Sequence, residues 1–430
     1  MTFPTYEKYR DSGVEGGGAV PEHWTLGSLK HMAWIRNGRD YKDVESPDGE
    51  YPVIGSGGQF ANATRYLYDG ESVLLGRKGT IDKPLYIHGR FWTVDTMFYT
   101  EVALGASAKF LYYNALTIPF QFYSTSTALP SMTQGDLLNH PCAIPPAEEQ
   151  AQIARFLDHE TAHIDALIEE QQRLIELLKE KRQAVISHAV TKGLDPTVPM
   201  KSSGVKWLGE VPAHWVCTDL KRFAEVQSGY AFSSEDFTDE GVAVIRIGDI
   251  QTDGSVSTEG CKRIVDRDGT YARFSVARGD LLMAMTGATI GKAGWYENDE
   301  PAYLNQRVGA FRSSDGLSMH FLAYIIQSHG YQEHIKLTAF GGAQPNISDA
   351  GMLSYPSAVP PLEEQIKISK HLEFLLQHVS RVIAGAEQSI SLLQERRSAL
   401  ISAAVTGKID VRDWQPPACA PSPELVQETV

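Results

Sequence analysis

Polar and basic side chains gather in two parts of the chain, and their types suit hydrogen bonding to a ligand better than catalysis. The first group comprises Arg77, Lys78, Lys83, Ser124, Thr125, Ser126 and Gln134. The second group comprises Arg246, Thr286, Thr289, Asn305, Gln306, Arg307, Gln344 and Asn346. Arginine pairs with guanine and asparagine or glutamine with adenine, while lysine and hydroxyl groups hold phosphates. Both groups are therefore candidate nucleic-acid contacts, with ordinary polar loops as the alternative for any single residue.

Residue types that could support catalysis or hold a metal are present, but none has the spacing that such a site requires. Residues 76–80 (GRKGT) resemble a phosphate-binding loop without having its glycine–lysine spacing. His159 and His163 are four residues apart, as in some metal sites, yet no acidic or cysteine partner is arranged around them as in zincins. Glu148 and Glu149 suit the first turn of a helix, where the helix dipole favours negative charge. We therefore predict a non-enzyme without a cofactor or metal of its own.

Two long helices must position these groups. Residues 145–195 contain no Gly or Pro between positions 147 and 192, and their apolar residues recur at spacings of three, four and seven. Residues 360–410 align with them at an offset of 215, and 21 of the 51 aligned pairs are identical. The matching seams predict an intramolecular coiled coil that also docks partners. Its seam comprises Leu157, Ile164, Leu178, Val185, Leu372, Val379, Leu393 and Leu400.

The duplication extends beyond the helices. Residues 12–24 (SGVEGGGAVPEHW) match residues 203–215 (SGVKWLGEVPAHW) at an offset of 191. Each half thus opens with the same segment, passes through a variable region and closes with a long helix. The variable regions have strand-like runs around Tyr51, Ser72, Phe91, Ala243, Gly279 and Ala302, and helical stretches at 109–123 and 318–337. We predict an α+β protein in which one fold carries two different surfaces.

These boundaries divide the chain into seven segments. They are a conserved segment (1–38), a variable domain (39–144), a long helix (145–195), a linker with the repeated segment (196–229), a second variable domain (230–359), a second long helix (360–410) and a tail (411–430) that we predict to be disordered. The 430 residues carry a net charge of −14 and four scattered cysteines, and no run approaches 18 apolar residues. A cytoplasmic protein with only local basic surface is expected.

Several motifs resemble the specificity subunit (S subunit) of type I restriction–modification systems. They are GEVPAHW at 209–215, GDLL at 279–282, PPxEEQ at 145–150 and 360–365, and the helix endings AVT at 189–191 and AVTGKID at 404–410. The resemblance covers the chain from about residue 12 to residue 410. The chain is similar to that family in the order of its segments as well as in these motifs.

The resemblance implies two α/β target recognition domains, each binding one half of a bipartite, asymmetric site in double-stranded DNA. They would be held by an antiparallel pair of conserved helices. It also implies partners: two methyltransferase subunits and, through them, restriction–translocase subunits. S-adenosylmethionine, ATP and Mg are then expected on the partners. Three alternatives remain: a specificity subunit of a methylation-only system, a coiled-coil scaffold that binds proteins, and a self-contained methyltransferase. The last would need an [ND]PP[YF] segment, which the sequence lacks.

Overall fold

The computed structural model describes residues 3–13, 18–124, 130–342 and 344–417. The chain divides into two compact units: unit 1 comprises residues 1–172 and 387–430, and unit 2 comprises residues 173–386. The boundary falls inside both long helices, so that each helix contributes one part to each unit. Among the described residues, no helix has both the length and the apolar character needed to cross a membrane.

Unit 1 contains a six-stranded sheet with the strand order β4-β9-β7-β8-β5-β6 and two small ribbons, β1-β2 and β3-β10. All neighbours in the large sheet are antiparallel except β5 and β8, which are parallel. The strands are β1 (Tyr9–Asp11), β2 (Ala19–Pro21), β3 (Thr25–Ser28), β4 (Ala33–Asn37), β5 (Tyr51–Gly55), β6 (Gly58–Ala63), β7 (Tyr68–Gly76), β8 (Leu85–Thr93), β9 (Met97–Val102) and β10 (Pro141–Ile144).

The described residues of the first half form three short α-helices and one long one: α1 (Ala108–Ala115), α2 (Phe120–Tyr123), α3 (Gln134–Leu138) and α4 (Ala147–Lys192). The single helix predicted for residues 109–123 is wrong, because α1 and α2 are separate. Pro119 lies directly before α2, and a proline disfavours helical backbone at the residue that precedes it.

Unit 2 repeats this plan. Its sheets have the orders β14-β21-β18-β19 and β16-β15-β20-β17, with ribbons β11-β12 and β13-β22. The strands are β11 (Met200–Ser202), β12 (Glu210–Pro212), β13 (Val216–Asp219), β14 (Ala224–Ser228), β15 (Val242–Ile245), β16 (Arg263–Ile264), β17 (Ser275–Val276), β18 (Asp280–Ala284), β19 (Ala293–Tyr296), β20 (Ala302–Leu304), β21 (Val308–Ser313) and β22 (Pro356–Val359). The only parallel pair among these named strands is β15 with β20.

The helices of the second half are α5 (Met319–Gln327), α6 (His329–Thr338), α7 (Asp349–Leu353) and α8 (Leu362–Val405). The single helix predicted for residues 318–337 is also wrong: it breaks at Ser328, whose hydroxyl accepts a hydrogen bond from the backbone N–H of Tyr331 and so caps α6. The two units also differ in one strand. In unit 1, the single strand β8 pairs with both β7 and β5. In unit 2, two separate strands take its place: β19 pairs with β18, and β20 pairs with β15.

The long helices pair antiparallel within each unit. In unit 1, Arg397 of α8 forms an ion pair with Asp165 of α4 (Nε–Oδ1 2.9 Å), while Gln152, closer to the start of α4, donates to the carbonyl of Val411 beyond the end of α8 (2.9 Å). In unit 2, the end of α4 and the start of α8 enter one core through Ile186 and Leu372. The predicted fold class, two related α/β domains with antiparallel coiled-coil helices, is confirmed.

The segment after α8 differs from the predicted disordered tail as far as residue 417, where the described part of the chain ends. Val411 is buried in the core of unit 1. The ring of Trp414 lies edge-on to Phe156, with 5.2 Å between the ring centroids. These apolar contacts, together with the hydrogen bond from Gln152 of α4 to the Val411 carbonyl, hold this segment against unit 1.

Candidate nucleic-acid interface

Each unit builds the same backbone arrangement where two of its named strands run parallel and end, β5 with β8 in unit 1 and β15 with β20 in unit 2. We call it platform 1 in unit 1 (Arg39, residues 77–79, 94–96 and 130–132) and platform 2 in unit 2 (Tyr230, residues 285–287, 305–307 and 345–347). The carboxyl ends of parallel neighbours meet at one edge of a sheet. Here the residues that follow β8 and β20 turn across the ends of β5 and β15: Val94 N–H donates to the Ile54 carbonyl (3.4 Å) and Asn305 N–H to the Ile245 carbonyl (3.0 Å).

A second matched pair of hydrogen bonds ties the turn after β7 or β18 to this edge. Arg77 N–H donates to the Thr96 carbonyl (2.9 Å), as Met285 N–H donates to the Arg307 carbonyl (2.9 Å).

The same turns are also held by the segment that precedes α3 or α7. Gly79 N–H donates to the Pro130 carbonyl (2.9 Å), and Gly287 N–H donates to the Pro345 carbonyl (2.8 Å). Both glycines have positive φ, 83° and 74°, which other residues adopt only with strain. Since these bonds use main-chain groups, the platforms share a backbone while their side chains differ.

Platform 2 brings most of the second predicted group together. Gln306, Arg307 and Asn346 are exposed, and Asn305 and Thr286 are half-buried. Gln344 and Thr289 lie within three residues of the platform segments, and Arg246 directly follows β15. The Arg246 guanidinium is partly engaged by Asp249 (Nε–Oδ2 3.4 Å).

Platform 1 brings together only part of the first predicted group. Arg77 and Lys78 belong to it, and Gln134, the first residue of α3, follows two residues after Met132. Lys83 is exposed in the segment before β8, and Ser124 follows α2. Thr125 and Ser126 lie outside the described residues. Their assignment as contacts stays a prediction.

The comparison of the platforms identifies exposed residues that sequence reasoning missed. Asp95 and Thr96 of platform 1 occupy the positions of Gln306 and Arg307, and Arg39 occupies that of Tyr230. A signal for Arg39 and Tyr230 was present, because each follows one of two glycines that align at the offset of 191. A Cβ at Gly38 would lie 2.0 Å from the Val94 carbonyl oxygen, and one at Gly229 would lie 2.3 Å from that of Asn305.

Two hydroxyl groups beside platform 2 lack partners. The Oγ1 atoms of Thr286 and Thr289 are buried and find no hydrogen-bond partner within the described part of the chain. Buried polar atoms are nearly always paired in native proteins. We therefore regard these hydroxyls as groups that a bound ligand, or a small side-chain rotation towards one, would satisfy. Over the same described residues, no cluster of three His, Cys, Asp or Glu side chains could hold a metal ion.

A carboxylate near the start of each long helix holds the conserved opening segment in place. Glu149 accepts hydrogen bonds from Tyr6 Oη (2.6 Å), His23 Nε2 (2.8 Å) and Trp24 Nε1 (3.0 Å). Burial raises the pKa of Tyr6, and the hydrogen bond to Glu149 raises it further. We call this group clamp 1. The interpretation of Glu149 as only a first-turn charge is incomplete, because its side chain is just 6% exposed.

Clamp 2 repeats the arrangement with one partner fewer. Glu364 accepts hydrogen bonds from His214 Nε2 (2.7 Å) and Trp215 Nε1 (3.1 Å), and its side chain is 30% exposed. The residue after each glutamate is a buried glutamine that ties α1 or α5 to the long helix. Ser107 N–H donates to Gln150 Oε1 (2.9 Å), and Ser318 N–H donates to Gln365 Oε1 (2.7 Å). These contacts fix where each variable domain begins and ends on its helix.

The predicted seam residues lie largely in the chain's own cores. Leu157, Ile164 and Leu400 are buried in unit 1, and Leu372 is buried in unit 2. The other four are half-buried: Leu178, Val185, Val379 and Leu393. Side chains that are already covered stabilise the helix pairs, and the half-buried four keep some exposed surface, so their role in docking partners stays a prediction.

Comparison with known proteins gives a consistent result over nearly the whole chain. The family model described as "Type I restriction modification DNA specificity domain" matches twice, at residues 21–178 and 212–390. The chain is 26% identical to the type I restriction enzyme MjaVIII specificity subunit of Methanocaldococcus jannaschii over 442 aligned positions, which cover 96% of this chain and 98% of that protein. It is 30% identical to the EcoBI specificity subunit of Escherichia coli over 46% of this chain and 40% of that protein.

Solved structures show the same fold. A chain from a study of complex assembly and conformational transition in the type I R-M system superposes with a TM-score of 0.65 at 18% identity, covering 90% of this chain and 98% of that one. The HsdS subunit from Thermoanaerobacter tengcongensis superposes with a TM-score of 0.51 at 16% identity, covering 91% and 98%.

Proposed function

Because the chain belongs to the family of type I restriction–modification DNA specificity subunits, we propose that platform 1 and platform 2 each bind one half of a bipartite, asymmetric DNA site. The observation that carries this proposal is the pair of platforms: matching backbone hydrogen bonds present different side chains. A conserved backbone fixes how each domain meets the double helix, while unlike side chains select unlike bases.

The proposal extends to partners and chemistry. The chain would do no chemistry itself and would bring two methyltransferase subunits, and through them restriction–translocase subunits, to the site. S-adenosylmethionine, ATP and Mg would then be bound by those partners. The net charge of −14 supports this division of labour, because a subunit that shares its DNA contacts need not neutralise every phosphate alone.

The test is to co-express the full chain with its cognate methyltransferase subunit and to map adenine methylation in genomic DNA by single-molecule sequencing. A split motif with two different halves is expected. Replacing residues 230–359 with the second variable domain of another specificity subunit should change one half only. Methylation without a motif, or failure to form any complex, would instead favour the protein-binding scaffold.

Arg307→Ala tests the assignment within platform 2. Loss of a guanidinium that binds guanine should weaken binding by about 1–3 kcal/mol and relax one position of the second half-site. The matched control is Arg278→Ala, since Arg278 precedes the opposite end of β18 and pairs with Asp299 on the surface (2.5 Å). If the two variants have the same motif and the same affinity, Arg307 is not a base contact.

A further inference from the structure

Two large apolar side chains are exposed beside platform 2. Leu337, in the last turn of α6, is 84% exposed, and Phe340 is 61% exposed. Phe340 is fixed to the platform by its backbone: its N–H donates to the Asn346 carbonyl (2.9 Å), and Asn346 N–H donates to the Phe340 carbonyl (2.8 Å). Phe340 therefore borders the exposed Asn346, whose backbone also forms a bridge with Thr286, and Leu337 of the apolar pair lies three residues before Phe340 in the chain.

Unit 1 has an apolar side chain at the corresponding position. Phe122 precedes Pro130 by eight residues, as Leu337 precedes Pro345, and the two prolines accept the matched hydrogen bonds of the platforms. Phe122 is also 84% exposed, whereas the next residue, Tyr123, is anchored through its hydroxyl to His140 Nδ1 (2.9 Å). An exposed apolar residue thus lies at the same sequence distance before the platform proline in both halves, although the surrounding sequences differ.

The charge pattern indicates what covers these side chains. In a chain with 53 acidic residues, no Asp or Glu occurs from position 110 to 135 or from 334 to 348. Around Leu337 and Phe340 this absence suits a surface that lies against phosphates, because a carboxylate there would be repelled.

We propose that Leu337 and Phe340 contact the C5-methyl groups of thymines in the major groove of the half-site bound by platform 2. This inference rests on the proposed function, since it requires platform 2 to face DNA. The thymine methyl is the one apolar group that a base pair presents in the major groove, and side chains such as Phe recognise it by contact. Polar neighbours on the platform would read hydrogen-bonding groups while the apolar pair reads methyl groups.

The experiment measures binding of the full chain, assembled with its methyltransferase subunits, to duplexes that carry the mapped motif. Each thymine of the second half-site is replaced in turn by deoxyuridine, which removes only the methyl group. For the unmodified chain, at least one replacement should weaken binding by about fourfold, the effect of exposing one buried methyl-sized group. In the double variant Leu337→Ala/Phe340→Ala, that replacement should have no effect.

The matched control is Val265→Ala, which removes an exposed apolar side chain (46% exposed) elsewhere in the second variable domain and should keep the fourfold response. Equal responses to every replacement in the unmodified chain and the double variant overturn the inference while leaving the motif, and hence the proposed function, intact. So does a double variant that loses its methyltransferase subunits before DNA is added, which would make the patch a protein-docking surface. An unmodified complex that does not distinguish its motif overturns the proposed function itself.

Discussion

Removing the carboxylate of clamp 1 should loosen the opening segment of unit 1 more than the same change loosens unit 2. Glu149→Ala leaves the buried Trp24 indole N–H and the buried Tyr6 hydroxyl without their acceptor, whereas His23 is exposed enough to be solvated. An unsatisfied buried donor costs about 1–3 kcal/mol. Two such donors predict a loss of about 4 kcal/mol in the free energy of local opening.

Clamp 2 serves as the internal comparison. Glu364→Ala leaves only one buried donor without its acceptor, the Trp215 indole N–H, because His214 is 45% exposed and can be solvated. The expected loss is therefore about 2 kcal/mol, and the difference between the variants corresponds to about 30-fold in the opening equilibrium. Controls are Glu148→Ala and Glu363→Ala, which remove exposed first-turn charges that face no clamp. Helix-dipole effects alone would cost about 0.3–1 kcal/mol in all four variants.

The assay is hydrogen exchange followed by mass spectrometry on peptides from β1–β3 and β11–β13 in the complete chain. Glu149→Ala should accelerate exchange in the β1–β3 peptides. Glu364→Ala should accelerate exchange in the β11–β13 peptides, and by a smaller factor. Exchange in the two control variants should stay close to that of the unmodified chain. Equal effects of all four substitutions would refute the clamp and restore the helix dipole as the reason for these glutamates.

Two other predictions concern stability. Leu157→Ala should lower the free energy of unfolding in urea by about 3 kcal/mol because Leu157 is fully buried, and Leu178→Ala should lower it by about half as much because Leu178 is half-buried; equal losses would contradict this packing. The hydrogen bond from Arg412 holds the pKa of Asp410 below its ordinary value. This stabilisation is therefore present above about pH 4 and lost as the pH falls through the lower folded pKa. The difference in melting temperature between the unmodified chain and Asp410→Asn should shrink on acidification, and a constant difference would refute the pairing.

The sequence predicts the long helices, the duplication and the strands best because each rests on a repeated or periodic pattern. Residues 145–195 lack Gly and Pro inside the helix, and the structure places α4 at Ala147–Lys192. The break before Pro119 was missed although the proline itself signals it, whereas the break at Ser328 depends on one serine, a residue type that also occurs inside helices. The ordered segment at Val411 and Trp414 could not be predicted, since its stability comes from a surface on α4 that is distant in sequence.

The candidate site was predicted unevenly for a physical reason. Side chains such as Arg307 and Asn346 indicate a hydrogen-bonding role by their type, whereas the platforms are held by main-chain groups, whose signature in the sequence is limited to matched glycines and prolines. Asp95 and Thr96 were missed because they lie at the end of a predicted strand without a basic neighbour and have no identical counterpart in the second half. The matched backbone hydrogen bonds are what identify Asp95 and Thr96 as the positions that correspond to Gln306 and Arg307.

That matching leads to a last prediction. If the platforms are fixed by backbone bonds, exposed side chains can be exchanged between them with little effect on the fold. Asp95→Gln/Thr96→Arg gives platform 1 the Gln-Arg pair of platform 2, and surface changes of this kind usually alter stability by less than about 0.5 kcal/mol. The melting temperature should therefore stay nearly constant while methylation mapping shows a changed first half-site and an unchanged second one. A large loss of stability would mean that these side chains hold the platform, and an unchanged motif would mean that they do not face the bases.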